Sequence, residues 1–188
     1  RNKEEINQKK ISMYVCGVTV YDRPHLGHAL STVTFDVLHR YLEYKGFQVK
    51  RVQNFTDVDD KIINKSKELK ISAKDVAEKY IKSFFEDMDA LGVRRADVHP
   101  RATEDMNEII ELIENLIDKK AAYVSNGNVY FDVSFASDYG KLSRRTLNEE
   151  LDGTRIDNDP DKLKPADFAL WKRVSENEPH WKSPWGIG

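Results

Sequence analysis

Between residues 11 and 55 the hydrophobic period of this chain changes twice, and that order of periods leaves few folds open. Residues 11–15 form a short, β-branched, apolar run bounded by Gly17, which is a strand pattern. Residues 29–45 place Leu30, Val33, Val37, Leu38, Tyr41 and Leu42 at helical spacing. Gly46 then supplies a C′ residue, and residues 47–55 alternate apolar and polar as a second strand. Strand, turn, helix and strand in that order predict a parallel, right-handed crossover, the building block of a doubly wound α/β sheet of Rossmann type. Ligands of such sheets lie beyond the carboxyl ends of the strands. Cys16 and Thr56 fall there.

The thirteen residues at the first change of period, CGVTVYDRPHLGH (16–28), carry one thiol, two histidines and two glycines. A helix N-terminus presents unpaired N–H groups and the positive end of a dipole, so this turn is suited to a phosphate. The reading is that it holds ATP. His25 and His28 are donors for phosphate oxygens as charge builds in a transition state. Gly27 omits a side chain where a purine ring would approach the backbone, and Pro24 stiffens the approach. A histidine pair around a glycine is a weak pattern alone; its place after a strand and at a helix start gives it weight.

Cys16 by itself supports several readings. A lone strand cysteine is commonly a small buried hydrophobe. As a nucleophile it would need a base, for which His25 and His28 are the candidates. As a zinc ligand it would need about three companions, yet the chain has one cysteine, and His99 and His180 are distant in sequence. Spacing assembles no zinc motif. Thr56 with Asp57, Asp59 and Asp60 would suit Mg²⁺ or a substrate amine, or would cap the following helix. Trp171, Trp181 and Trp185 would stack on a ring or cover the edge of a core.

Farther along, residues 61–69 predict a helix, and Ser72 with Asp75 forms a capping box for a longer one. That helix buries Val76, Tyr80, Ile81, Phe84, Phe85, Met88 and Leu91 and ends near Gly92. Residues 93–102 predict a strand or extended connection. Thr103 is the expected cap of a helix with Glu104 and Asp105 in its first turn, closed by Lys119 and Lys120. The turn Ser125-Asn-Gly-Asn128 between apolar runs predicts a β-hairpin. Residues 136–167 are polar, a loop or small module, and 167–171 turn apolar again, able to rejoin a sheet.

Bulk properties exclude little. With 188 residues and 39% hydrophobic content the chain can bury the core of one domain or of one domain carrying an insertion. A net charge of -2 neither demands nor forbids nucleic acid, because a basic patch can sit within a neutral total. One cysteine rules out an internal disulfide and fits a reducing compartment. No run of about 18 apolar residues exists, so no membrane span is expected. The chain starts at Arg1 and stops at PWGIG, and both ends read as cut.

Taken together, MYVCGVTVYDRPHLGHAL (13–30), VQNFTDVDDKII (52–63), HPRATE (99–104) and DFALWK with the closing SPWG (167–186) resemble the cysteinyl-tRNA synthetase family, class I aminoacyl-tRNA synthetases. The resemblance runs from residue 11 to 188. HLGH stands where class I enzymes carry HIGH, with Leu26 for isoleucine, and CGVT where the family often has CGPT or CGIT. The resemblance implies that Cys16 is the family's first zinc ligand and that Thr56 lines the cysteine pocket. It implies ATP binding by Gly17, His25, Gly27 and His28, with His25 and His28 catalytic. The implied fold is an incomplete Rossmann-like catalytic core: residues 1–118 as its first half, 119–167 as a connective-peptide insertion, and 168–188 as the return into the catalytic domain. The family's second zinc cysteine, its histidine and glutamate ligands, its KMSKS loop and its anticodon-binding domain match nothing in these residues, so a fragment of this extent is expected to be inactive alone.

The implied reaction is ATP-dependent activation of cysteine and its transfer to tRNA(Cys), with Mg²⁺ accompanying ATP and Zn²⁺ discriminating thiol from alcohol. A cytoplasmic monomer is expected. The alternatives are a cysteine ligase of mycothiol synthesis built on the same adenylating core, a small HxGH nucleotidyltransferase, and a binding module that keeps the fold without the chemistry.

Overall fold

The computed structural model describes residues 9–142, 144 and 159–188. The chain forms two compact units, Arg1–Asp105 and Met106–Gly188. In the first, β1 (Lys10–Thr19) and β2 (Gln48–Thr56) run parallel and are joined by α1 (Leu26–Tyr44). This is the α/β unit that the periods predict. β1 continues through Gly17 to Thr19, and α1 begins at Leu26, ahead of the predicted start. On the other side of β2 the extended chain adds parallel bridges, Val52 to Val98 and Phe55 to Arg101. There the N–H groups of Gln53 and Phe55 donate to the carbonyls of Val98 and Pro100 at 3.0 and 2.8 Å. So β2 is the middle of the sheet.

After β2 come α2 (Asp60–Leu69) and α3 (Ala73–Ala90). The α3 N-cap is the predicted Ser72, whose Oγ accepts from the Asp75 N–H. Val76, Tyr80, Ile81, Phe84 and Met88 of α3 pack with Phe55 of β2 and Ile62 of α2 in one apolar core. Leu91, expected in that core, is exposed.

The orientation of α1 reverses the expectation. Leu30, Val33, Val37, Leu38 and Tyr41 should form its buried face; instead Thr32, Asp36 and His39 are buried. Leu26 is 88% exposed, Leu30 71% and Val37 60%. The cause lies in β2, whose alternation buries Arg51, Gln53 and Phe55. Arg51 is 1% exposed, and a buried guanidinium requires acceptors. Asp36 provides one, 3.4 Å from an Arg51 Nη, and the Arg94 carbonyl another. The second Asp36 oxygen accepts from Arg40 Nε at 2.9 Å. Burial lowers the Arg51 pKa from its ordinary value and the Asp36 carboxylate opposes that fall. The polar side of α1 therefore meets the sheet.

Thr103 does not cap the next helix. Its N–H and hydroxyl donate to the two oxygens of buried Asp57 at 3.0 and 2.5 Å, and α4 (Met106–Asp118) begins beyond Glu104 and Asp105. The Oγ that a cap would turn onto a helix N–H is drawn instead to this carboxylate, which follows β2.

In the second unit, β3 (Ala122–Ser125) and β4 (Asn128–Phe131) form the predicted hairpin. Its turn residues Asn126 and Gly127 both have positive φ, 50° and 84°, as a two-residue type I′ turn requires. β5 (Phe168–Trp171) pairs antiparallel with β4, so residues 168–171 lie in the hairpin's sheet. Ile113 of α4, Val129 and Trp171 form the core, with Trp181 and Trp185 packed against it. Trp171 and Trp185 meet edge to face, 5.9 Å between centroids. The indoles thus cover a core edge. β6 (Lys182–Ser183) and β7 (Gly186–Ile187) make a closing ribbon. Within the polar 136–167 stretch, positions 143 and 145–158 lie outside the described residues.

Candidate active site

Two features stand at the carboxyl end of β1: a bulge in the strand and a paired cap on the helix. β1 and β2 keep register from Lys10–Gln48 to Val15–Gln53 and resume it at Val18–Phe55. Cys16 and Gly17 together therefore oppose Asn54 alone, which defines a β-bulge. The Gly17 N–H donates to Asn54 Oδ1 at 2.7 Å. A Cβ on Gly17 would lie 1.5 Å from the Asn54 carbonyl oxygen, so only glycine fits. Cys16 is a free, exposed thiol. Thr56 pairs with Thr19.

The cap is built by the two histidines on each other's behalf. His25 is the N-cap of α1 with extended backbone, and its Nδ1 accepts from the Gly27 N–H at 3.1 Å. His28, at the third helical position, returns its Nδ1 to the His25 N–H at 3.2 Å. The pattern is that of a capping box, with imidazoles in place of hydroxyl and carboxylate. Each Nδ1 must be unprotonated to accept, so each neutral ring carries its proton on Nε2. The pKa of His28 is lowered, first by burial and then by the neighbouring His25, which favours that neutral form. A Cβ on Gly27 would come 2.9 Å from His25 Cε1, so glycine leaves the ring its place.

This arrangement changes what the helix end offers. Two backbone N–H groups at the start of α1 are already satisfied by imidazole nitrogen. The ring donors left over are the two Nε2–H groups, suited to the oxygens of an anion. The acidic cluster has other work: Asp59 caps α2, its Oδ1 accepting from the Lys61 N–H at 2.8 Å, and Asp57 holds Thr103.

The chain matches the family described as tRNA synthetases class I (C) catalytic domain over residues 2–188. It belongs to that family. Curated relatives of this class I synthetase domain include the Cysteine--tRNA ligases of Thermodesulfovibrio yellowstonii, 52% identical over 97% of the chain and 38% of the relative, and of Carboxydothermus hydrogenoformans, 52% identical over 100% and 41%. That of Pyrococcus horikoshii is 51% identical over 100% and 40%. The chain thus spans about two fifths of the length of these relatives. Among solved structures, the LeuRS of Agrobacterium radiobacter K84 agnB2, in a ternary complex with tRNA and LeuAMS, superimposes with a TM-score of 0.54 at 17% identity, covering 70% of this chain and 18% of that one. That likeness bears on the fold alone.

The zinc that the family implies is not accommodated by the described residues of this synthetase domain. No group of three or more His, Cys, Asp or Glu among them is arranged to hold a metal ion. His99 is engaged elsewhere: its Nδ1 lies 2.9 Å from the Gln53 carbonyl, and its ring stacks on Phe55 with centroids 5.3 Å apart. His180, in the second unit, is 2.8 Å from the Glu178 carbonyl. Among the described residues Cys16 is the single thiol donor. No helix among them is long and apolar enough to cross a membrane.

Asn54 and the Asp36–Arg51 pair escaped the sequence reading. For Asn54 a signal existed: Gly17 is followed by Val18-Thr-Val20, so it can be read as a glycine inside a longer strand, which marks a bulge or a close backbone approach, rather than as the strand's end.

Proposed function

We propose that this chain is the ATP- and cysteine-binding part of a cysteine–tRNA ligase, which activates cysteine with ATP and transfers it to tRNA(Cys). The reciprocal His25–His28 cap carries the reading, supported by the 49–52% identity of the curated relatives so named. In the first step the cysteine carboxylate attacks the α-phosphate, and the bond from that phosphorus to the bridging oxygen breaks, giving cysteinyl-adenylate and pyrophosphate. The Nε2–H groups of His25 and His28 donate to phosphate oxygens as negative charge gathers on them. Each is held by its own Nδ1, so neither needs to reorient during reaction. Gly17 and Gly27 are assigned to the same ATP site, where each also admits a close approach within the protein, of the Asn54 carbonyl and of the His25 ring. In the second step a ribose hydroxyl at the tRNA 3′ end takes the cysteinyl group from the adenylate.

Cys16 and Thr56 are assigned to the substrate cysteine, with Cys16 one ligand of a zinc ion whose other ligands are not among these residues. No step above passes through that ion. Mg²⁺ bound to ATP, a monomeric state and a cytoplasmic setting belong to the same proposal. So does the division into a catalytic first half at 1–118, a connective-peptide insertion at 119–167 and a return at 168–188, with β5 at the boundary because it pairs with the hairpin.

The test is ATP–pyrophosphate exchange by the full-length ligase. His28→Ala should lower cysteine-dependent exchange by about 10²–10³-fold, the usual cost of one donor to a developing oxyanion, with a smaller change in cysteine affinity. Unchanged exchange would remove His28 from the chemistry.

A further inference from the structure

We propose that Asn54 is a positioning residue for the cysteine-binding corner, acting by anchoring the β1 bulge that aims Cys16. The inference rests on the assignment of Cys16 and Thr56 to the substrate cysteine and adds a residue that holds them in common register.

In a regular strand, residues three apart point to opposite faces. Cys16 and Thr19 would then be divided between the two sides of the sheet. Partner positions in a parallel ladder share a face, so Val15 lies with Gln53, Val18 with Phe55 and Thr19 with Thr56. Gln53 and Phe55 are buried; Thr56 and Asn54, which alternate with them, belong to the other face. Cys16 follows buried Val15 and is exposed. The extra residue at 16–17 thus brings Cys16 and Thr19 to the face that already carries Asn54 and Thr56.

A bulge interrupts the ladder and leaves a backbone group to be satisfied from elsewhere. Here Asn54 Oδ1 satisfies it, 2.7 Å from the Gly17 nitrogen. The donor is a backbone N–H, so the side-chain atom facing it must be the amide oxygen. The approach is close throughout: the space a Gly17 Cβ would take is filled by the Asn54 carbonyl oxygen, and Oδ1 is 3.2 Å from the same point. One residue of β2 therefore clamps both the polar group and the packing of the bulge. Cys16 is its immediate neighbour.

The experiment compares Asn54→Ala, which removes the acceptor, with Asn54→Asp, which keeps an oxygen there. In the full-length ligase, Asn54→Ala should raise KM for cysteine at least tenfold while KM for ATP stays within threefold, and Asn54→Asp should recover most of the loss. In the 188-residue chain, exchange of the Gly17 amide hydrogen should accelerate at least tenfold in Asn54→Ala, with Val15 and Phe55 within twofold. Equal rises in both KM values, or failure of Asn54→Asp to recover, would overturn the positioning role. An unchanged Gly17 exchange rate would overturn the anchor itself. If the wild-type ligase shows no cysteine-dependent exchange of pyrophosphate, the functional assignment fails, and the amide measurement still decides whether Asn54 anchors the bulge.

Discussion

The imidazoles of His25 and His28 lie face to face, 3.9 Å between centroids and 24° between planes, each with Nδ1 turned onto a backbone N–H of the other's turn. The pair is at once the cap of α1 and the donor group of the proposed ATP site. The two roles call for one tautomer. Protonation of either ring would put hydrogen on Nδ1 and cancel a cap bond.

Acid should therefore open this turn. The folded-state pKa of His28 is depressed below its ordinary 6.5, so the stabilisation it contributes is full above that value and is lost as pH falls through the folded pKa. Amide exchange at His25, whose N–H is held by His28 Nδ1, corrected for intrinsic rates, should accelerate as pH falls below about 6.5, before the β2 amides respond. Protection that stays constant to pH 5 would show that the rings do not hold the cap.

Gly17→Ala should destabilise the first unit by about 3 kcal/mol, the upper part of the usual overpacking range, because the new methyl meets a main-chain carbonyl that cannot rotate aside. Urea unfolding gives the value. A loss below about 0.5 kcal/mol would place the change among ordinary surface substitutions and contradict the packing.

Asp167 is 1% exposed and accepts from Tyr123 Oη at 2.7 Å, from the Val133 N–H at 3.1 Å and from the Lys164 N–H at 3.2 Å. Burial, together with this carboxylate, pushes the Tyr123 phenol up to about 12. Asp167→Ala strands three donors and should cost about 2–4 kcal/mol in the second unit. In a phenol titration by ultraviolet absorbance, Tyr123 should ionise at lower pH in that variant, and an unmoved curve would dissociate the two residues.

Leu26, Leu30, Val33, Val37 and Tyr41 form an exposed apolar stripe along α1. A chain of these 188 residues should bind an apolar dye and self-associate at micromolar concentration. The double change Leu30→Gln and Val37→Gln should reduce both without lowering helix content. Dye binding that stays at the original level would locate the sticky surface elsewhere.

What could be read from the sequence was local. The strand–helix–strand order shows in the change of hydrophobic period, and the hairpin in Asn126-Gly127, because each signal lies within the element it specifies. The seating of α1 does not show, since an apolar stripe records which side is greasy and carries no information on whether a partner covers it. The decisive residue, Arg51, lies in another element, and its demand for Asp36 as a buried acceptor overrides the apolar pattern. The Asn54–Gly17 bond spans 37 positions, beyond the reach of any periodicity. In the turn before α1, HLGH announces a helix start and two candidate donors; that the free ring donors are Nε2 atoms follows only from seeing what the Nδ1 atoms hold.

The bulge also holds one residue more than the register of β1 against β2 requires. Deleting either Cys16 or Gly17 would let the strand pair evenly, a gain for the backbone ladder. Val18 would still face Phe55 and Thr19 would still face Thr56, so the core face of the strand would survive the loss. What would go is the Gly17–Asn54 bond or the thiol itself, so a shorter strand would keep its place in the sheet and lose the corner built around Cys16.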